Sequence, residues 1–338
     1  MNSPYTRRLV VSWISVLDNK PGIDMLEYFP QLMEGLFLLL SDEHREIRVE
    51  TDDVLQSFLS EIKSSEPNDT IMNSMVVFAT RPHPQVNVLL NLVHHNDRFI
   101  RHTVVTWIYE FVHVTEWSIP YARLFRVLLP CYADSEKEVQ EKAQATCWEL
   151  LKSLKKNGET VELMPLIEVV CTVLSKNHRD QCLLCLDLVN VLLEIRGKDM
   201  ITVPELRNVL IETLKKENDD VIDYDLRVLV KYVQYSQELT TFIRHILKML
   251  EQDEQYLEDR GCLIIRTLCK YINSEQVFQI LSTTISESEN KRFASLFVQM
   301  MNVILLTADE TAEMCKKLQS CFAPAQPKPE GQQVFNSL

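Results

Sequence analysis

Apolar residues recur along this chain with the period of an α-helix and nowhere with the alternation of a strand bounded by turns. From Glu136 to Leu154 the residues Val139, Ala143, Cys147, Leu150, Leu151 and Leu154 fall at offsets 0, 4, 8, 11, 12 and 15. That is one stripe of a helix. Ile47, Val54, Leu55, Phe58, Leu59 and Ile62 form a second such stripe, and Leu257, Gly261, Ile264, Leu268 and Ile272 a third. The pattern predicts helices in pairs, joined by short polar turns such as Ser41-Asp42, Asn96-Asp97, Ala133-Asp134, Asp219-Asp220 and Gln252-Asp253. The second helix of each pair opens on an apolar anchor; Ile47, Ile100, Val139, Val221 and Leu257 are spaced by 53, 39, 82 and 36 residues, 82 being two units.

A recurrence near 40 residues with two helices per unit is the HEAT or armadillo signature. One helical hairpin cannot bury its apolar face alone, so such units stack. The expected fold is all-α, a HEAT/armadillo-type solenoid, a superhelical stack of antiparallel helix pairs. Second helices are predicted at Glu46 to Ile62, Arg98 to Val114, Glu136 to Leu154, Arg179 to Ile195, Asp219 to Tyr235 and Glu254 to Tyr271. A leading helix covers Tyr5 to Leu17; a closing pair covers Glu275 to Ile285 and Asn290 to Leu306; a short helix follows to Cys321. Residues 1–322 are thus one array of about six to seven pairs. Residues 323–338 read as a Pro-rich linker and the start of a further carboxy-terminal segment.

Composition narrows the chemistry. Only 6 glycines occur in 338 residues, and the dinucleotide, P-loop and nucleophile-elbow motifs that need them are missing. A net charge of −13 argues against a nucleic-acid binder and against broad adsorption to anionic lipid. Nine cysteines, an odd number on helical faces with no legible signal sequence, predict reduced thiols and a cytosolic setting. Gly261, on a helical stripe, is expected to permit close helix packing, and Gly158 and Gly197 to follow helix ends.

The residues that bear chemistry have mostly structural readings. Cys182 and Cys185 form the single C-x-x-C and read as core thiols, with His178 nearby but no fourth zinc ligand. His94, His95 and His102 surround a turn, without the spacing of a metal site. The acidic turns read as helix caps. Trp107 and Trp148 are expected in the core, and Trp117, beside Pro120, as an exposed anchor for a partner. Arg48 and Arg101 follow the apolar anchors and are expected to bond the acidic turn of an adjacent unit or to touch a partner. No nucleophile is paired with a base, so no enzyme activity, cofactor or metal is expected. An adaptor of vesicle-coat or nuclear-transport machinery is one function compatible with these features.

Particular segments add a resemblance. Pro4 to Leu17, Asp24 to Phe37, Glu46-Ile47-Arg48, Leu128-Leu129-Pro130-Cys131, Leu257 to Cys269, Arg292 to Ser295 and Asn302 to Thr307 together resemble the vacuole-morphology HEAT-repeat scaffold family, the associated regulators of PIKfyve. The resemblance implies a non-catalytic platform, peripheral on the cytoplasmic face of endosomes and vacuoles. Such a platform holds together the phosphatidylinositol-3-phosphate 5-kinase, which makes phosphatidylinositol 3,5-bisphosphate, and a Sac-type phosphatase that removes the 5-phosphate. In that family the carboxy-terminal domain binds the phosphatase and self-associates. The chain reads as a partial-length member that stops near where that domain begins, so phosphatase binding and homo-oligomers are expected of a longer form.

Overall fold

The computed structural model describes residues 3–64, 88–113, 119–176 and 178–321, and among them every regular element is a helix. The Pro-rich tail, the irregular segment at Thr80 and Trp117 lie outside the described residues. Contacts divide the chain into two units, residues 1–169 and 170–338.

The first unit contains α1 (Pro4–Asp18), α2 (Phe29–Leu39), α3 (Arg45–Ser64), the short α4 (Val88–Leu92), α5 (Arg98–His113), α6 (Tyr121–Leu128) with a 3-10 turn (Leu129–Ala133), and α7 (Lys137–Asn157). Helix α1 packs on α3 and α5 on α7, second helix on second helix, as a stack of hairpins requires. The core of this unit is aromatic. Trp107, Phe29, Phe37, Phe58 and Phe111 are all fully buried, and Trp107 stacks on Phe29 at 5.3 Å while meeting Phe37 and Phe111 edge-on at 5.5 and 5.7 Å.

After α8 (Leu163–Leu174), the second unit contains α9 (Arg179–Met200), α10 (Pro204–Thr213), α11 (Asp219–Ser236), α12 (Leu239–Gln252), α13 (Glu254–Tyr271), α14 (Ser274–Ser286), α15 (Lys291–Thr307) and α16 (Ala312–Cys321). Again the second helices stack, α9 on α11, α11 on α13 and α13 on α15. The fold is the all-α HEAT/armadillo type that the apolar period predicts.

The acidic and amide turn residues cap helices as expected. Asp253, Asn273 and Asn290 accept hydrogen bonds from the backbone N–H groups of Tyr256, Glu275 and Phe293. Asp42, Asp97 and Asp134 do the same two residues on, to His44, Phe99 and Glu136.

Local readings are adjusted by the packing. Trp148 is 51% exposed rather than in the core, because Val139, Ala143, Cys147, Leu150, Leu151 and Leu154 already form the buried stripe of α7 and the next residue after Cys147 points about 100° away. Gly158 follows the end of α7 as expected, with an ordinary helical φ of −74°, and opens the 3-10 turn after it. Gly197 lies inside α9, which continues to Met200 past a kink at Arg196. A Cβ on Gly197 would sit 2.6 Å from the Tyr235 ring, so the position is kept bare by close packing on α11.

The expectation for Gly261 holds. A Cβ there would lie 2.9 Å from both the Leu257 Cδ1 and the Met300 Sδ, where α13 meets α15. Both neighbours are ends of flexible side chains, so Gly261→Ala is expected to be nearly neutral. Gly261→Leu is expected to cost about 1–3 kcal/mol by overpacking; a thermal melt in which the leucine variant unfolds with the parent would refute the close-packing account.

Asp225 on α11 is fully buried, and neither carboxylate oxygen has a hydrogen-bond partner. Burial pushes its acid well above the ordinary carboxylate range, and the charge of Lys216 only partly opposes this. The folded state therefore holds this proton where the unfolded chain, at about pKa 3.9, has released it. A penalty to stability sets in above about pH 4 and grows towards the folded value. Asp225→Asn is expected to raise the melting temperature at pH 8 and to change it little at pH 4; equal shifts at both would be inconsistent with a buried proton.

Candidate interaction site

Basic side chains on the second helices clasp neighbouring turns. Arg7 on α1 reaches Asp42 with Nε at 2.5 Å and Nη2 at 3.2 Å. This fork holds the Asp42 carboxylate down at about 2, against the opposing effect of its burial. Arg101 on α5 makes the corresponding fork to Asp134 at 2.7 and 2.8 Å, and its Nη1 also donates to the His95 and Asn96 carbonyls at 2.9 Å each. In the second unit Arg179 bonds Asp220, and Arg260 bonds the Glu217 carbonyl and pairs with Asp219.

Arg101 thus bonds the acidic turn of the adjacent pair as expected and is only 9% exposed. Arg48 differs: its Nη1 donates to the Asp42 and Glu43 carbonyls of its own turn, at 2.6 and 3.2 Å. It stays half-exposed. The Asp42 carboxylate is turned to Arg7.

Among the described residues the histidines and cysteines are not gathered into a metal-binding group. Cys182 and Cys185 are buried as expected, and Lys216 Nζ lies 3.0 Å from the Cys182 sulfur. Cys262, read as apolar-faced, is exposed. His94 is exposed and His95 and His102 are half-buried. Among the described residues no group of three or more His, Cys, Asp or Glu side chains is placed to hold a metal. No single described helix is long and apolar enough to cross a membrane; α15 with the segment after it passes only as a bent pair.

What the surface does offer is apolar. On α1, Tyr5, Leu9, Trp13 and Val16 are all exposed, at spacings that form one row opposite the buried Val11 and Ile14. On α15, Val298, Val303 and Leu306 are exposed, Leu306 to 74%. The sequence reading missed both rows because each helix carries apolar residues on more than one face, and a single-stripe template absorbs the surplus into the core. That surplus is itself the available signal.

Comparison with known proteins places these features. Residues 254–338, beginning at the first residue of α13, match the family described as "Vacuolar protein 14 C-terminal Fig4p binding". The match begins within the helical array, upstream of the Pro-rich tail, since α13 to α15 continue the hairpin pattern and the apolar period marks no boundary there. The chain is 30% identical to the "Protein VAC14 homolog" of Arabidopsis thaliana over 342 residues, covering 99% of this chain and 44% of that protein. It is 26% identical to the "Protein VAC14 homolog" of Schizosaccharomyces pombe, covering 99% of this chain and 48% of that protein. It is 20% identical to the "Vacuole morphology and inheritance protein 14" of Saccharomyces cerevisiae, covering 99% of this chain and 49% of that protein. The chain spans about half the length of these curated relatives. The chain is thus similar to VAC14 homologues over nearly all of its residues, and its carboxy-terminal segment matches the Fig4p-binding family of that protein.

Proposed function

We propose that the chain is a non-catalytic scaffold of the endosomal complex that makes and removes phosphatidylinositol 3,5-bisphosphate. It holds the phosphatidylinositol-3-phosphate 5-kinase and a Sac-type phosphatase together at the cytoplasmic face of endosomes and vacuoles. The observation that carries this reading is the match of residues 254–338 to a family described by Fig4p binding. An array of stacked hairpins, with its charged side chains clasped to neighbouring turns, suits a binding platform better than a catalyst.

The phosphatase contact is assigned to α15, where Val298, Val303 and Leu306 stand exposed inside the matched span. Apolar residues bared on a helix face are the usual core of a protein interface. Of the positions that the sequence nominates for partners, Arg48 is the accessible one of the described pair, and Arg101 acts through the turn it clasps.

Affinity capture of the tagged chain from cells should recover a lipid kinase with a FYVE-type domain and a Sac phosphatase. Val303→Asp with Leu306→Asp is expected to reduce phosphatase recovery by about tenfold or more, as loss of central apolar anchors does, at an unchanged melting temperature. Recovery of vesicle-coat or nuclear-transport components in place of both enzymes would favour the adaptor reading.

A further inference from the structure

The last two turns of α7 border a cavity of about 540 Å³ in the first unit, within the range of small-ligand sites. Its wall carries Lys152, Lys155, Lys156 and His113, with Asn157 as a neutral donor and Glu149 as the single acid. Three lysines against one glutamate make a local positive site in a chain whose net charge is −13. Lysines at a helix C-terminus also complement the helix dipole. The dipole accounts for their charge; it does not account for a cavity opening between them and the end of α5.

Glu149 orients this wall. Its carboxylate pairs with Lys152 at 2.6 Å and lies 3.8 Å from His113 Nε2. Trp148 is 51% exposed and shares one face of α7 with Lys152 and Lys155, at i, i+4 and i+7. An exposed indole beside lysines is the side-chain pairing that sits at a membrane–water interface.

We propose that this cavity binds a multiply phosphorylated headgroup of the inositol-phosphate class, carried on a lipid, with Trp148 entering the interface beside it. The volume exceeds what one phosphate fills, and lysines from two successive turns can meet separate phosphates as point charges. The proposal is independent of which enzymes the scaffold holds.

The test uses the full chain in a vesicle flotation assay. Phosphatidylcholine vesicles containing a doubly phosphorylated phosphatidylinositol are compared with phosphatidylserine vesicles of matched charge, and a soluble inositol polyphosphate is titrated by calorimetry. The parent should bind the phosphoinositide vesicles and the soluble headgroup. Lys152→Glu with Lys156→Glu should weaken both by about tenfold or more, and Glu149→Gln should strengthen both. Trp148→Ala should weaken vesicle binding and leave the soluble titration unchanged, which identifies the lipid as the source. A Trp148→Ala variant that floats like the parent overturns the entry of Trp148 into the interface, and a parent that takes up the soluble headgroup without floating makes the source a soluble inositol phosphate and overturns the lipid assignment. Equal binding to phosphatidylserine, indifference to the lysine reversals with the fold intact by circular dichroism, or capture of a phosphoserine peptide but no inositol phosphate would overturn the site altogether.

Discussion

Trp107→Ala is expected to lower the free energy of unfolding of the first unit by about 3–5 kcal/mol, the range for an aromatic removed from a packed core. The indole is completely buried and touches Phe29, Phe37 and Phe111. None of those rings can move into the space without leaving its own contacts on α2 or α5. The indole N–H has no hydrogen-bond partner, so the residue contributes packing and no polar anchoring. Trp107→Phe should therefore cost far less than the alanine change, since it removes an unpaired donor together with part of the ring. Denaturant unfolding of both variants checks this. Similar losses for Phe and Ala would mean that the site depends on the indole shape and that the orphaned N–H is of no consequence.

Arg101→Met should destabilise by a similar amount, about 3–5 kcal/mol, because it leaves the partner carboxylate uncompensated in a mostly buried place. The side chains of Arg101 and Asp134 are only 11% and 10% exposed. Burial pushes the Asp134 acid upward, but the hydrogen bonds from Arg101 and from the Glu136 backbone outweigh it, and the net shift is downward. A carboxylate with a lowered folded value contributes stability above its unfolded value of about 3.9 and loses it as pH falls through the folded value. In the methionine variant the chief downward influence is gone and burial remains. The stability gap between parent and variant should then be wide at pH 7 and narrow below about pH 4. A gap independent of pH would show that methionine fails by packing alone.

Helix positions are readable from the apolar period because α3, α5, α7, α9, α11 and α13 each bury seven or more residues, a stripe too long to mistake. The predicted span Glu254 to Tyr271 coincides with α13, and Arg98 to Val114 ends within one residue of α5. Errors arose where one residue's direction matters more than the stripe. Trp148 was counted into the core because it is large and apolar, yet it stands one residue beyond a stripe that is already full. Gly197, read as following a basic helix end, does follow a break at Arg196, but the helix resumes, and a ring on the next second helix is what excludes a side chain there. The lysine cavity was out of reach of spacing arguments: Lys152 and Lys156 are sequence neighbours of Glu149, but the void they border depends on the end of α5, more than thirty residues away. Nothing in the sequence sets Asp225 apart from other helical acids, and only the three-dimensional packing shows it sealed from water.

The Asp134 carboxylate serves two elements with one group. Its Oδ1 accepts from the Glu136 N–H that starts α7 and from Arg101 Nη2 on α5, at 2.9 and 2.8 Å. A pull on α7, from a ligand at its far end or a protein on its flank, is therefore felt at α5 through a rigid linkage a few bonds long. In mechanical terms each such turn is a rivet: it sets how far one hairpin can pivot before the next must follow. Stiffness in this array is accordingly a local property, adjustable one joint at a time.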